Sequence, residues 1–276
     1  MSLKLGAGLA LALGSAAALN WSYFAQHGAA TALPPLALRR PLRSLGLLFR
    51  SRRWLAGFTI GIGGWVLYVA ALALAPLSLV QAAAAGGIAV LAALVGHLTG
   101  RERLAVSVAF VGLVLLGLSL IAVTAPSGSG SWIPVATWMA VSVGAAALLA
   151  GPLARGLAGG AGLGMAAGML YAAGDVGTKA AIGGGTRLAF VPALLACHGL
   201  AFVALQLGFQ RGGALATAGM ATLWTNALPI AAGTILFAES LPHGIRGLAR
   251  LVAFACVVIG AAALARPEPA AAVLTD

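Results

Sequence analysis

Long apolar runs, separated by short polar or Gly/Pro-rich stretches, occupy most of the chain. A helix needs ~20 apolar residues to cross the ~30 Å hydrocarbon core of a bilayer. Runs of that size are read at Leu5–Ala25, Trp54–Leu74, Leu77–Leu98, Leu104–Val123, Trp132–Ala150, Gly160–Ile182, Leu188–Phe209, Ala214–Phe237 and about Gly247–Ala265. They are continuous rather than alternating, which predicts helices and argues against a strand barrel. The expected fold class is an all-α polytopic membrane protein of about nine transmembrane helices. The first run, preceded by Lys4, has some features of a signal peptide. Its length, its polar end (Asn20, Tyr23, Gln26, His27) and the arginines after it favour a retained span.

The polar stretches divide the chain. Gly28–Arg53 carries Pro34, Pro35, Pro41 and six arginines, so it is an exposed loop that can hold a short surface helix. Ala125–Ser131 reads as a flexible turn, and Gly151-Pro152 ends the fifth run. The layout of Trp65–Leu104 returns 137 residues later as Phe202–Leu241. Gly212-Gly213 then stands where Ala75-Pro76 stood, Gly233 where Gly96 stood, and Glu239 where Glu102 stood. The end of the first run (Gln26-His27) corresponds to the end of the sixth (Thr178-Lys179). With one run left between them, the copies are inverted relative to each other. The expected organisation is a first repeat over 1–123 with its basic loop at 28–53, a linker helix with turns over 124–158, a second repeat over 159–266, and a disordered tail over 267–276.

Composition supports a membrane setting. Of 276 residues, 61% are hydrophobic and 8% charged, with a mean hydropathy of +1.04, where soluble domains carry roughly a quarter charged residues. The net charge of +11 does not imply nucleic acid, because the basic residues cluster in one loop with no interleaved aromatics and no nucleic-acid motif. That loop instead fixes topology and attracts anionic lipid heads. Placing it in the cytoplasm puts eleven of sixteen basic residues on that side and leaves five on or toward the other. The expected setting is the plasma membrane, with the N-terminus outside and the C-terminus cytoplasmic. Cys197 and Cys256 lie in apolar runs without metal or disulfide spacing.

Ala75-Pro76-Leu77-Ser78-Leu79-Val80-Gln81, the Glu102-Arg103-Leu104 and Glu239-Ser240-Leu241 turns, and the small-residue segment Gly160–Lys179 resemble members of the drug/metabolite transporter superfamily. Each half resembles the four-helix unit of small multidrug resistance proteins. The nine-span form with a basic first loop is most similar to the branch of NIPA-type magnesium transporters and actinobacterial EamA-type permeases. One departure is that the first helix carries Asn20 and Tyr23 where the small exporters have a glutamate. The resemblance implies transport by alternating access, with the site near the midplane between the halves.

Asp175 is the only acid inside a run. It lies 15 residues past Gly160, ~22 Å along a helix axis, in the outer half of the membrane. It is either a protonatable or cation-contacting site or an internal pair with Lys179 one turn on. Asn20, Tyr23 and His27 share one face of the first helix; His27 reads as an interfacial cap. Gln81, Trp224 and Asn226 are further candidates for a substrate or ion pathway. Gly160, Gly164, Gly168 and Ala172 form a small-residue ladder for close helix approach, as do Gly57 with Gly61 and Gly86-Gly87; on that reading Gly164→Ala is mild. His97 and His198 have no partners at metal-ligand spacing, so no metal site is assigned.

Enzyme readings fail on inventory. A membrane aspartyl protease needs two aspartates, Gly117-Leu118-Ser119-Leu120 lacks any oxyanion partner, and no P-loop is present. No cofactor is expected. The reading is a secondary transporter of a small organic solute. A Mg²⁺ permease ranks second, since magnesium prefers carboxylates and one is a poor supply. A non-transporting membrane scaffold or lipid-binding protein is the alternative of another class, and a cavity between the first and sixth helices separates it from transport. Membrane lipids are expected partners, and a homodimer stays open.

Overall fold

A computed structural model describes residues 3–36, 41–84, 86–120, 130–154, 157–238 and 244–265. Among the described residues there are eleven α-helices and no strand. The all-α expectation is met. Four segments are long and apolar enough to cross a membrane by length and composition: Lys4–Ala30, Arg52–Leu74, Trp132–Ala150 and Gly185–Phe209. Large apolar side chains such as Val66, Val141, Leu200 and Ile235 face outward on the helix bundle, as contact with lipid tails allows. The turn at residues 121–129, Arg39, Arg40, Arg155, Glu239 and the tail 266–276 lie outside the described residues.

The first helix, α1 (Leu3–Ala30), runs past the expected end at Ala25. The arginine loop holds α2 (Pro41–Arg50), whose Leu48 is buried while Leu45 and Phe49 are exposed. A short helix with a basic face and an apolar face is of the kind that suits a membrane interface. Ser51 then caps α3 (Arg52–Leu74) by accepting from Trp54 N–H. The expected single span Leu77–Leu98 is instead two helices, α4 (Leu77–Ala84) and α5 (Gly87–Val95). Gly86-Gly87 permits the break, and Gly87 brings the start of α5 against α1: a Cβ there would collide with the Asn20 side chain.

Next comes α6 (Gly100–Leu120), whose start is a reciprocal capping box. Glu102 Oε2 accepts from Thr99 N and Oγ1, both at 3.0 Å, and Thr99 Oγ1 accepts from Glu102 N at 3.2 Å. The Glu102 turn is thus a helix cap. Glu102→Ala should cost about 1 kcal/mol through the lost cap; thermal unfolding of the purified protein in detergent measures it, and an unchanged midpoint would show the cap to be idle.

The remaining helices are α7 (Trp132–Ala150), α8 (Ala161–Ile182), α9 (Val191–Phe209), α10 (Met220–Leu236) and α11 (Ile245–Ala265). Central among them is α8, with 17 of its 22 residues buried, which packs on α7, α9 and α10. Before α10, Leu215–Gly219 forms a π-helical turn, a feature frequent at functional sites.

Glycines set the closest helix contacts. A Cβ on Gly164 would overlap the Thr217 carbonyl, and one on Gly168 would come within 2.7 Å of the Ala221 carbonyl oxygen. The ladder therefore packs α8 backbone to backbone with the π turn and α10, and even alanine does not fit at Gly164. That overturns the expectation of a mild Gly164→Ala. Gly160 packs against Thr217 and Gly212 at a φ of +81°. Gly57 and Gly61 do the same between α3 and the Ser22–Gln26 turn of α1, and Gly260 between α11 and Ala105–Ala109 of α6.

Polarity along the bundle is fixed by contacts at its two ends. At one end Gly8 of α1 and Lys179 of α8 both meet Ala75; at the other, His27 of α1 and Gly160 of α8 both meet Gly212. Helices α1 and α8 therefore run antiparallel.

Candidate functional site

Between α1 and α3 on one side and α8, α9 and α10 on the other lies a cavity of ≈ 390 Å³, with α4 closing part of its wall. Five of the seven residues expected on a substrate or ion pathway line it: Asn20 and Tyr23 from α1, Gln81 from α4, Asp175 from α8 and Asn226 from α10. Trp224 and Lys179 are not part of the lining. Trp224 packs in the core against Gly168. Lys179 turns toward the end of α3, where Nζ donates to the carbonyls of Leu72 at 3.2 Å and Ala75 at 3.3 Å.

Asp175 is buried, with 4% of its surface exposed, and its partners come from three other helices. Gln81 Nε2 donates to Oδ2 at 2.9 Å and also to the Tyr68 hydroxyl at 2.6 Å. Gln81 thereby ties Tyr68 to the Asp175 carboxyl. On the other oxygen, His198 Nε2 of α9 lies 3.4 Å from Oδ1. Neither Tyr68 nor His198 could be paired with Asp175 from the sequence. The signal that might have found His198 is Gly174 beside the acid: a Cβ there would overlap the imidazole, so only glycine lets the ring reach its neighbour.

The imidazole has one orientation and one tautomer. Trp65 and Tyr171 hold it edge-on, each 5.7 Å between centroids. His198 Nδ1 lies 2.9 Å from the Leu194 carbonyl, which can only accept, so Nδ1 carries a proton. In the neutral ring Nε2 would then be a lone pair facing a carboxylate oxygen. That contact is attractive only when the pair holds one further proton, on either the imidazole or the carboxyl. Asp175 and His198 thus face one another as an acid–base pair within the bundle. The phenols of Tyr23, Tyr68 and Tyr171 are the other titratable groups around it.

The rest of the wall is apolar and aromatic with a few polar atoms. Asn20 is satisfied, donating to Ala16 O at 2.9 Å and accepting from Thr222 Oγ1 at 3.3 Å. Asn226 donates back to Thr222 O at 2.7 Å. By contrast Ser15 Oγ and Trp65 Nε1, both on the cavity, are buried with no hydrogen-bond partner among the described residues. Buried polar atoms of that kind call for an explanation, and a bound solute or water would supply one.

One turn along α1 from Tyr23 an amide chain borders the cavity. Trp54 Nε1 donates to Gln206 Oε1 at 3.0 Å, Gln206 Nε2 donates to Gln26 Oε1, and Gln26 Nε2 donates to Ser22 Oγ at 2.7 Å. The rings of Phe58 and Phe202 pack beside it on Trp54. His27, on the same face of α1 as Asn20 and Tyr23, lies beyond this layer. Its Nε2 donates to the Gly212 carbonyl at 3.3 Å, and its ring sits edge-on to Phe209. Among the described residues no three His, Cys, Asp or Glu side chains converge. No family profile, curated protein or solved structure matches the chain.

Proposed function

We propose that this protein is a secondary transporter of the drug/metabolite type, moving a small organic solute through the cavity between two inverted halves. The observation that carries the reading is the register of the cavity walls. On α3 the lining residues are Phe58, Gly61, Ile62, Trp65 and Tyr68; on α9 they are Leu195, His198, Gly199, Phe202 and Leu205, each 137 positions on. The contacts of α1 with α3 repeat in α8 with α9 at a shift of 152 on the first helix of each pair. Ala25 meeting Gly57 becomes Gly177 meeting Leu194, both at 3.1 Å for the glycine Cβ position, and Ser22 meeting Gly61 becomes Gly174 meeting His198. With α1 and α8 antiparallel, this register supports an inverted repeat with its site on a pseudo-two-fold axis. The broken α4–α5 helix and the π turn before α10 beside the site fit the discontinuous helices of such folds.

The site's chemistry narrows the solute. One carboxylate among Trp65, Tyr23, Tyr68 and Tyr171 suits an organic monocation with an apolar body, held by charge and by aromatic faces. Such a cation at Asp175 takes the place of the pair's proton, so solute and proton exchange at one site. Magnesium is a poorer fit, because it demands several oxygen ligands and the cavity offers one carboxylate. The cavity between α1 and α8 is what a scaffold would lack. We place the protein in the plasma membrane, with the arginine loop in the cytoplasm and the N-terminus outside; labelling a cysteine at Ser44 from each face of the membrane checks this.

The test is uptake into vesicles of the purified protein, with a panel of organic monocations, neutral metabolites and Mg²⁺, with and without a pH gradient. Uptake of a monocation, accelerated when the lumen is the more acidic side, is the expected result. Uptake of Mg²⁺ alone, or of nothing under either gradient, would sink the reading.

A further inference from the structure

Two bonds at opposite ends of the bundle stand outside the cavity and outside the Asp175 cluster. One is His27 on the carbonyl of Gly212; the other is Lys179 on the carbonyls of Leu72 and Ala75. The shift of 152 that carries α1 onto α8 carries His27 onto Lys179. The shift of 137 that carries α3 onto α9 carries Ala75 onto Gly212. Each bond is therefore the counterpart of the other, and both measure 3.3 Å. Their surroundings correspond as well. Ala75 N donates to Ala71 O at 2.9 Å, and Gly212 N donates to Gly208 O at 3.0 Å. A Cβ on Gly8 would lie 3.1 Å from Ala75 Cβ, and one on Gly160 would lie 3.2 Å from Gly212 Cα.

We infer that these are the two end latches of the pathway. Each joins the first helix of one half to carbonyls at or just past the C-terminal end of the second helix of the other half. Those carbonyls lack partners within their own helix and lie at the negative end of its dipole, so a basic side chain is the natural cap. Because the latches sit at opposite ends, spreading the halves at one end breaks one latch and leaves the other made. The two are chemically unequal. Lys179 reaches two carbonyls on a flexible stem, whereas His27 reaches one from a rigid ring packed on Phe209. The His27 end is also held by Gln210, which accepts from Leu36 N at 2.8 Å and donates to the carbonyls of Ala30 at 3.2 Å and Pro34 at 3.1 Å, so losing His27 has the smaller effect of the two. The role assigned to the latches rests on the transporter reading; their geometry does not.

The test reads access to the cavity without requiring a solute. In the full chain with Cys197→Ala and Cys256→Ala, the reporter Thr225→Cys is labelled in vesicles by a membrane-impermeant maleimide from either face. Lys179→Met should raise labelling from the Ala75 face about fivefold and lower it from the other, and His27→Leu should do the reverse by a smaller factor. Lys179→Arg and His27→Gln keep a donor and should label at the parent rate. If Lys179→Met does not fold, Lys179→Gln, too short to reach both carbonyls, takes its place. Unchanged rates, or a rise from both faces in both variants, would overturn the latches. Opposed shifts in a protein that moves no solute would uphold the latches and sink the transporter reading. Flux without opposed shifts would sink the latches alone.

Discussion

Asp175→Asn should abolish proton-linked solute exchange while leaving the protein folded. An asparagine keeps an acceptor for Gln81 Nε2 and turns a donor toward the lone pair of His198 Nε2, so the local bonds survive. What disappears is the need for a shared proton and the charge that holds a cationic solute. The loss should be about 100-fold in flux, which is what removal of one charged contact of about 3 kcal/mol gives. The residual flux should also lose its dependence on the pH gradient. Uptake into vesicles at matched protein content measures both. Flux and pH profile unchanged from the parent would show that Asp175 and His198 are packing partners and nothing more.

Gly164→Ala should destabilise the protein by about 2 kcal/mol or more, and Gly164→Leu should prevent its assembly. At this position the first carbon of any side chain meets the Thr217 carbonyl, a backbone group in a π-helical turn that has no rotamer to give. Inserted atoms in a packed core commonly cost 1–3 kcal/mol, and here they would push apart helices that touch along their length. The matched control is Gly144→Ala on α7, where a Cβ meets nothing within 4 Å; it should be neutral or gain up to ~1 kcal/mol from helix propensity. Thermal midpoints in detergent compare the two. Equal tolerance at both positions would mean that α8 and α10 are not in backbone contact.

Much of this architecture was legible in the sequence, for identifiable reasons. Apolar runs longer than a bilayer is thick are helices, and Asp175 stood out because a carboxylate there needs a reason. The glycine ladder was visible as spacing, but the partner backbone was not, which is why alanine was expected to fit. The α4–α5 break was signalled by Gly86-Gly87, yet a continuous apolar run hid it, since glycine is common in membrane helices. Thr99-Gly100-Arg101-Glu102 is a capping box in plain sight, though the acid was read as the mark of a repeat. His198 was legible only indirectly, through Gly174, since a lone histidine on an apolar helix carries no hint of a carboxylate 23 residues earlier. Lys179 was assigned to Asp175 by spacing alone; the free carbonyls at the end of α3 are a tertiary feature that spacing does not reveal.

The glycine seams also decide which parts of the molecule can yield. Glycine and alanine lose no rotamer freedom on packing, so the α1–α3, α8–α10 and α6–α11 seams rely on close dispersion contact, which falls away within an ångström of separation. Such seams do not stretch; they are whole or broken. Around the cavity, contacts between the halves are instead made by glutamine, histidine, lysine and aromatic side chains, which can re-aim without losing every contact at once. Helices α6 and α11 meet at Gly260 through backbone, so on the proposed transporter reading this pair stays fixed while the cavity walls turn.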